Sequence, residues 1–281
     1  MIDGSFRDHF HAIDSLARQD FPNAEFEAIW VEYYDSVRPE LAAKIESHPS
    51  MRLLTLGRSG EYHSSYCFNA GISAASGALV LIPDADLVME SDFLSRQWAL
   101  HAKNDELVTY CYRYNEPREA SPGDGTAELE HLKRVGVLTH PNNWGACVGV
   151  RRKWLLELNG YDQHPVFASG DHGNDFDLYV RLKNLGLQIQ WPREPVVYHA
   201  WHPGTLVYAY SHKLQALVTK RRSFERSTLP YNGIDAGHDR SMPHDLLDEL
   251  ATARERFEAE RPAGAGAPLE TPPWLIRETA N

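Results

Sequence analysis

Three apolar runs, residues 28–31 (AIWV), 51–56 (MRLLTL) and 78–83 (ALVLIP), place the strongest constraint on this chain. Each is continuous rather than alternating, so each must be covered on both faces, as in a parallel sheet with helices on either side. The intervening segments have helical spacing. Residues 5–18 put Phe6, Phe10, Ile13 and Leu16 on one face, residues 39–47 form a short polar helix, and residues 62–76 stop at Gly77. MIDG, at the start, reads as the tail of a first strand.

The strands end in acids. Residues 78–83 run into Asp84-Ala85-Asp86, and residues 28–31 into Glu32, with Asp35 beyond. Ligands of open α/β sheets gather beyond the carboxyl ends of the strands. Strand alternation puts Asp84 and Asp86 on one side, and two oxygen donors there suit Mg²⁺ or Mn²⁺ bridging a pyrophosphate. The plainer alternative is a polar turn whose acid caps the next helix.

The second half reads as a strand at 106–114, a Pro/Gly-rich loop at 115–126, a strand at 146–150 and a short helix stopped by Gly160. A Gly-rich loop then enters a helix that carries Asp175 and Asp177 and stops at Gly186. A last strand pair follows, LQIQW (187–191) and PVVYHAWH (195–202). Imidazole is a good ligand for Mn²⁺ or Zn²⁺, and only one of His199 and His202 need face the carboxylates. The alternative is aromatic packing beside Tyr198 and Trp201. Asp175, in the first turn of its helix, suits either an N-terminal cap or a general base. Asp177 has Arg181 four residues on, the spacing of an ordinary helical ion pair.

A net charge of −11 argues against a nucleic-acid binder and makes any phosphorylated substrate depend on a metal or on a few local cations. Cys67, Cys111 and Cys147 lack metal-ligand spacing, which suits a reducing, cytoplasmic compartment. No apolar run reaches transmembrane length, and the N-terminus lacks a signal peptide's basic start and apolar stretch. Peripheral contact with the inner face of a membrane stays open. Residues 205–222 and 244–260 read as helices, followed by a low-complexity linker at 261–273.

Taken in order, these pieces resemble a family 2 glycosyltransferase of GT-A fold over about residues 5–202. Asn69, Gly71, Ala75 and Gly77 stand before the D-x-D as in that family. GACVGVRRKWLLELNGYD (145–162) and NDFDLYVRL (174–182) follow, the latter where the family has Glu-Asp-x-Asp-Leu and then an Arg. The resemblance implies an α/β fold with a Rossmann-like, mostly parallel sheet flanked by helices and a helical C-terminal extension. Residues 1–205 would form the transferase domain, with a donor half to about residue 100 and an acceptor half from 101. Residues 206–281 would form the extension and a flexible tail.

Residue by residue, the resemblance implies that Asp86 coordinates the metal on the donor pyrophosphate and that Asp84 contacts the ribose or supports the metal. Glu32 would hold the nucleobase, and Asp175 would deprotonate the acceptor hydroxyl. Trp144 and Gly145 would lie where the acceptor sugar approaches. His199 would ligate the metal, favoured over His202 because it directly ends a strand. Arg58, by position, adds a cation near the phosphates. The implied reaction is Mn²⁺- or Mg²⁺-dependent, inverting transfer from a nucleoside-diphosphate sugar, UDP-sugar favoured, to a carbohydrate or other hydroxyl acceptor in polysaccharide or glycoconjugate synthesis. Glu32 for the usual Asp, Asn174 for the usual Glu and the short first strand depart from the pattern. The competing readings are a retaining transferase, a nucleotidyltransferase and a non-catalytic transferase scaffold.

Overall fold

The structure, a computed structural model, describes residues 2–3, 9–123, 125–168, 173–203, 209–260 and 271–275. The chain begins with β1 (Ile2–Asp3), α1 (His11–Leu16), β2 (Ala28–Glu32), α2 (Pro39–Glu46), β3 (Met51–Thr55), α3 (Ser64–Ala74) and β4 (Leu79–Pro83). Next come β5 (Leu87–Val88), α4 (Phe93–His101), β6 (Leu107–Tyr110), β7 (Arg113–Asn115), α5 (Leu129–Val135), β8 (Val137–Leu138), β9 (Cys147–Arg151) and α6 (Arg152–Glu157). The remainder is α7 (Gly173–Asn184), β10 (Gln188–Gln190), β11 (Val197–His199), α8 (Ala209–Glu225) and α9 (His244–Ala259).

The fold is α/β, with one parallel sheet and two mixed ones among the described residues. β1, β2 and β3 are parallel, with Ile2 opposite Trp30, Asp3 opposite Val31, and Ala28–Glu32 opposite Met51–Thr55. All five β2 residues are buried, as a doubly covered strand requires. A second sheet runs β10-β6-β9-β4; β10 is parallel to β6, and β9 is antiparallel to both β6 and β4. The third runs β5-β11-β7-β8, with β11 parallel to β7. An apolar cavity of about 380 Å³ is lined by Ile2, Ala28, Ile29, Leu79, Leu81 and Phe93. None of the candidate site residues lines it.

Three expectations change. The helix expected from residue 5 is seen over His11–Leu16, and residues 4–8 lie outside the described ones. The strand at 106–114 is two strands in different sheets. Cys111 donates its N–H to Cys147 O (3.0 Å), and Tyr112 O accepts the N–H of Val197 (2.9 Å), so the chain changes partners from β9 to β11 at that point. The last strand pair is no pair: β10 joins β6, and β11 lies between β5 and β7.

Asn69 ties the two halves together. Its amide exchanges two hydrogen bonds with the backbone of Tyr161, at 2.7 and 2.8 Å. Gly160, at φ +72°, sits so close that a Cβ there would overlap Asn69 Oδ1, which explains a glycine at the end of α6 beyond its role as a stop.

α8 and α9 bury Leu214, Val218, Leu246 and Leu250 in one cluster with Val166 and Phe167. A buried ionic group joins α8 to α7. Arg222 donates to both oxygens of Asp177 (2.9 and 2.7 Å) and to Asp162, while Arg181 Nε donates to Asp177 Oδ2 at 2.8 Å. Burial opposes ionisation of Asp162, yet Arg222 and the N–H groups of Tyr231 and His164 hold its carboxyl below the usual range. Asp177–Arg181 is therefore part of an inter-helix network. Residues 205–208, 261–270 and 276–281, which include most of the expected tail, lie outside the described residues.

Candidate active site

The site forms where β4 ends. The β4–β9 ladder pairs Pro83 with Cys147, and one step further Asp84 donates its N–H to Ala146 O (3.0 Å). The chain then leaves the strand: Ala85 and Asp86 form a turn before β5. Strand alternation therefore stops at Asp84, and the two acids meet different partners. Asp84 Oδ2 pairs with Arg113 at 3.3 Å, whereas Asp86, only 3% exposed, faces two imidazoles.

Asp86 Oδ2 lies 3.2 Å from His202 Nε2 and 3.5 Å from His199 Nε2, and the two Nε2 atoms are 3.1 Å apart. His199 ends β11, whose antiparallel pairing with β5 sets it opposite Leu87, next to Asp86. His202 follows three residues on, and its Nδ1 lies 2.9 Å from the Pro203 carbonyl oxygen, which turns Nε2 toward Asp86. Ligands about 2.1 Å from a shared ion stand roughly 3.0–3.4 Å apart in octahedral or tetrahedral geometry. One carboxylate and two imidazoles at these separations fit a divalent metal.

Two further histidines adjoin the triad. The His9 ring centroid is 6.0 Å from that of His202 and 5.3 Å from His11, on which it stacks. Burial and His9 hold the His11 imidazole below its ordinary value, against the pull of Asp86. In the sequence, only the H-x-H of His9-Phe10-His11 signals this pair; its approach to His202 comes from the fold.

On the other side of Ala146 stands the α7 carboxylate. A Cβ on Gly145 would lie 2.8 Å from Asp175 Oδ2, so this glycine is where backbone and carboxylate meet. Asn143 Oδ1 fixes the approach by accepting the N–H groups of Gly145 (3.0 Å) and Ala146 (3.1 Å). Asn174, buried, donates to Ser64 Oγ (2.8 Å), and its Oδ1 accepts the N–H of Asp175 (3.0 Å). The residue that departs from the family's Glu thus anchors the start of α7 to α3. Trp144 packs on Phe176 (4.5 Å) and Tyr179 (5.8 Å), and its buried Nε1–H has no partner among the described residues.

Asp86, His199, His202, Asp84, Gly145, Trp144 and Asp175 therefore line one continuous stretch: α7, the 143–146 segment and the ends of β4 and β11. Glu32 and Arg58 gather at the carboxyl ends of β2 and β3. Glu32 Oε1 accepts Trp30 Nε1–H at 2.7 Å, and the Arg58 guanidinium lies 3.6 Å from the centre of the Tyr66 ring.

Solved structures share this fold. A mannosyltransferase from Pyrobaculum calidifontis, solved with GDP-Man and Mn²⁺, aligns over 93% of this chain and 74% of its own at 17% identity, TM-score 0.54. S. aureus TarS 1–349, solved with UDP, aligns over 92% of this chain and 71% of its own at 15% identity, TM-score 0.56. GalNAc-T7, solved with UDP, GalNAc and Mn²⁺, aligns over 89% of this chain and 53% of its own at 14% identity, TM-score 0.57. The family model of glycosyl transferase family 2 matches residues 11–158, more than half of the chain, and the chain belongs to that family. No curated protein sequence matches it. Among the described residues no helix is long and apolar enough to cross a membrane.

Proposed function

We propose that the protein transfers a sugar, with inversion, from a nucleoside-diphosphate sugar to a hydroxyl of a carbohydrate or other acceptor, using a divalent ion held by Asp86, His199 and His202. The observation that carries this reading is the Asp86–His199–His202 cluster, with donors 3.1–3.5 Å apart, at the end of the strand whose neighbouring segment abuts Asp175. Mn²⁺ or Mg²⁺, when bound, supplies positive charge where the diphosphate leaving group gains negative charge. UDP is the favoured nucleotide; the structural neighbours include proteins solved with UDP and one solved with GDP-Man.

The chain's own residues supply the rest. Asp175 Oδ takes the proton of the acceptor hydroxyl as that oxygen bonds to the anomeric carbon, and the anomeric C–O bond to the diphosphate breaks with its electrons leaving on the diphosphate. Trp144, Phe176 and Tyr179 give an aromatic wall beside Asp175 against which a sugar ring can stack. In this reading Glu32, at the end of β2, meets the nucleobase and Arg58, just beyond β3, adds a cation near the phosphates. Residues 1–205 act as the catalytic domain in this reading and 206–281 as an extension, of which α8 packs on α7.

Thermal unfolding with a panel of nucleoside diphosphates, each with Mn²⁺, with Mg²⁺ and with chelator, tests the proposal. One nucleotide should stabilise the protein only with metal, by about 2.7 kcal/mol at a hundred times its Kd. No shift with any nucleotide and either metal would contradict it.

A further inference from the structure

We propose that Glu116 is a positioning residue that aims His199 and His202 at Asp86; this rests on the metal-site reading above. Glu116 follows directly on β7, whose register with β11 ends at Asn115 opposite His199. From there it grips the histidine turn twice. Its backbone N–H donates to His199 O at 2.9 Å, and its Oε2 accepts the N–H of Trp201 at 2.9 Å. One residue therefore fixes the segment between the two imidazoles at both ends.

The side chain is 1% exposed, an expensive place for a carboxylate unless hydrogen bonds replace its water. The second oxygen is engaged as well. His131 Nε2, on α5, lies 2.7 Å from Glu116 Oε1, and Arg134 donates to His131 Nδ1 at 3.1 Å. The Arg118 guanidinium, 5.4 Å from the centre of the Trp201 ring, covers the turn from the other flank. Glu116 is not among the three clustered donor groups. Its contacts all go to the backbone that carries two of those groups and to the helix behind it. Such supporting groups typically change metal affinity about 10- to 100-fold.

The chemistry separates three substitutions. Ala leaves the Trp201 N–H without its acceptor and frees the turn. Asp keeps the charge but is one methylene too short to reach Trp201 while its backbone holds His199. Gln keeps the length and one oxygen for the Trp201 N–H, and gives up only the contact to α5, because its NH2 cannot accept from His131 Nε2–H.

The test is Mn²⁺ binding to the whole protein without nucleotide, read from the electron paramagnetic resonance signal of free Mn²⁺, with metal-free thermal unfolding alongside. Glu116→Ala and Glu116→Asp should weaken Mn²⁺ binding about 10-fold or more, and Glu116→Gln should stay within about 3-fold of wild type. Should the Ala variant fail to fold, Glu116→Asp decides alone. A Glu116→Asp protein that melts with wild type and binds Mn²⁺ equally tightly overturns the inference. Asp86→Asn is the control: its loss of binding keeps the metal site in place when Glu116 fails the test, whereas its unchanged binding removes the site and the inference together.

Discussion

Gly145 and Asp175 lie side by side: a Cβ at 145 would stand 2.8 Å from Asp175 Oδ2, so a side chain there would displace the carboxylate. The contact joins α7 to the 143–146 segment and, through the Asp84–Ala146 hydrogen bond, to the acidic turn that holds Asp86. Asp175 and the Asp86 turn are thus set relative to each other through the backbone of residues 145 and 146.

Gly145→Ala should therefore push the Asp175 carboxylate aside while leaving the donor end of the site intact. The expected result is a fall in kcat of about 10- to 100-fold with the donor KM within about 3-fold, measured by steady-state transfer. Full activity in this variant would show that Asp175 does not need its present position.

Asp175→Asn removes the base and keeps the shape. Transfer should fall about 10²- to 10⁴-fold, while metal-dependent nucleotide binding by calorimetry stays near wild type. Activity within a few-fold of wild type would move a retaining mechanism forward.

Arg222→Met should destabilise the protein by about 3–5 kcal/mol in urea unfolding, because it leaves Asp162 and Asp177 buried with their charge only partly met. The double change Arg222→Met with Asp162→Asn should recover part of the loss. Equal stability of the Met variant and wild type would mean that α8 is not locked to α7 through this cluster.

Acid should act through buried histidines. Burial holds His63 and His101 down to about 4, against an ordinary value of 6.5. The unfolded chain therefore binds protons between pH 6.5 and 4 that the folded chain does not, so stability is intact above pH 6.5 and falls as pH drops through that window. The loss approaches about 3 kcal/mol for each histidine. His101→Asn should flatten the decline, and unfolding free energies that stay level from pH 7 to 4.5 would contradict the assignment.

Much of this was legible in the sequence where local pattern suffices. The apolar run before Asp84 located the strand end, and the glycine after residue 159 located the end of α6. The aim of Asp86 was not legible, because its partners lie 113 and 116 residues on and meet it only through the register of β11. Residues 199 and 202 looked like alternatives; on the turn both reach Asp86. Asp177 looked like half of a helical ion pair because Arg181 is near in sequence, whereas Arg222, 45 residues away, is visible only once α8 has docked. The break of residues 106–114 into β6 and β7 arises from a change of hydrogen-bond partner, which leaves no glycine or proline at Cys111-Tyr112 to mark it.

The proposed transfer depends on one divalent ion between Asp86 and the two imidazoles. The most direct measurement is the anomalous difference map of a crystal grown with Mn²⁺ and UDP. One strong peak is expected about 2.0–2.3 Å from Asp86 Oδ2, His199 Nε2 and His202 Nε2, next to the UDP phosphates. A Mn²⁺ peak bound to the phosphates but away from all three side chains would contradict it.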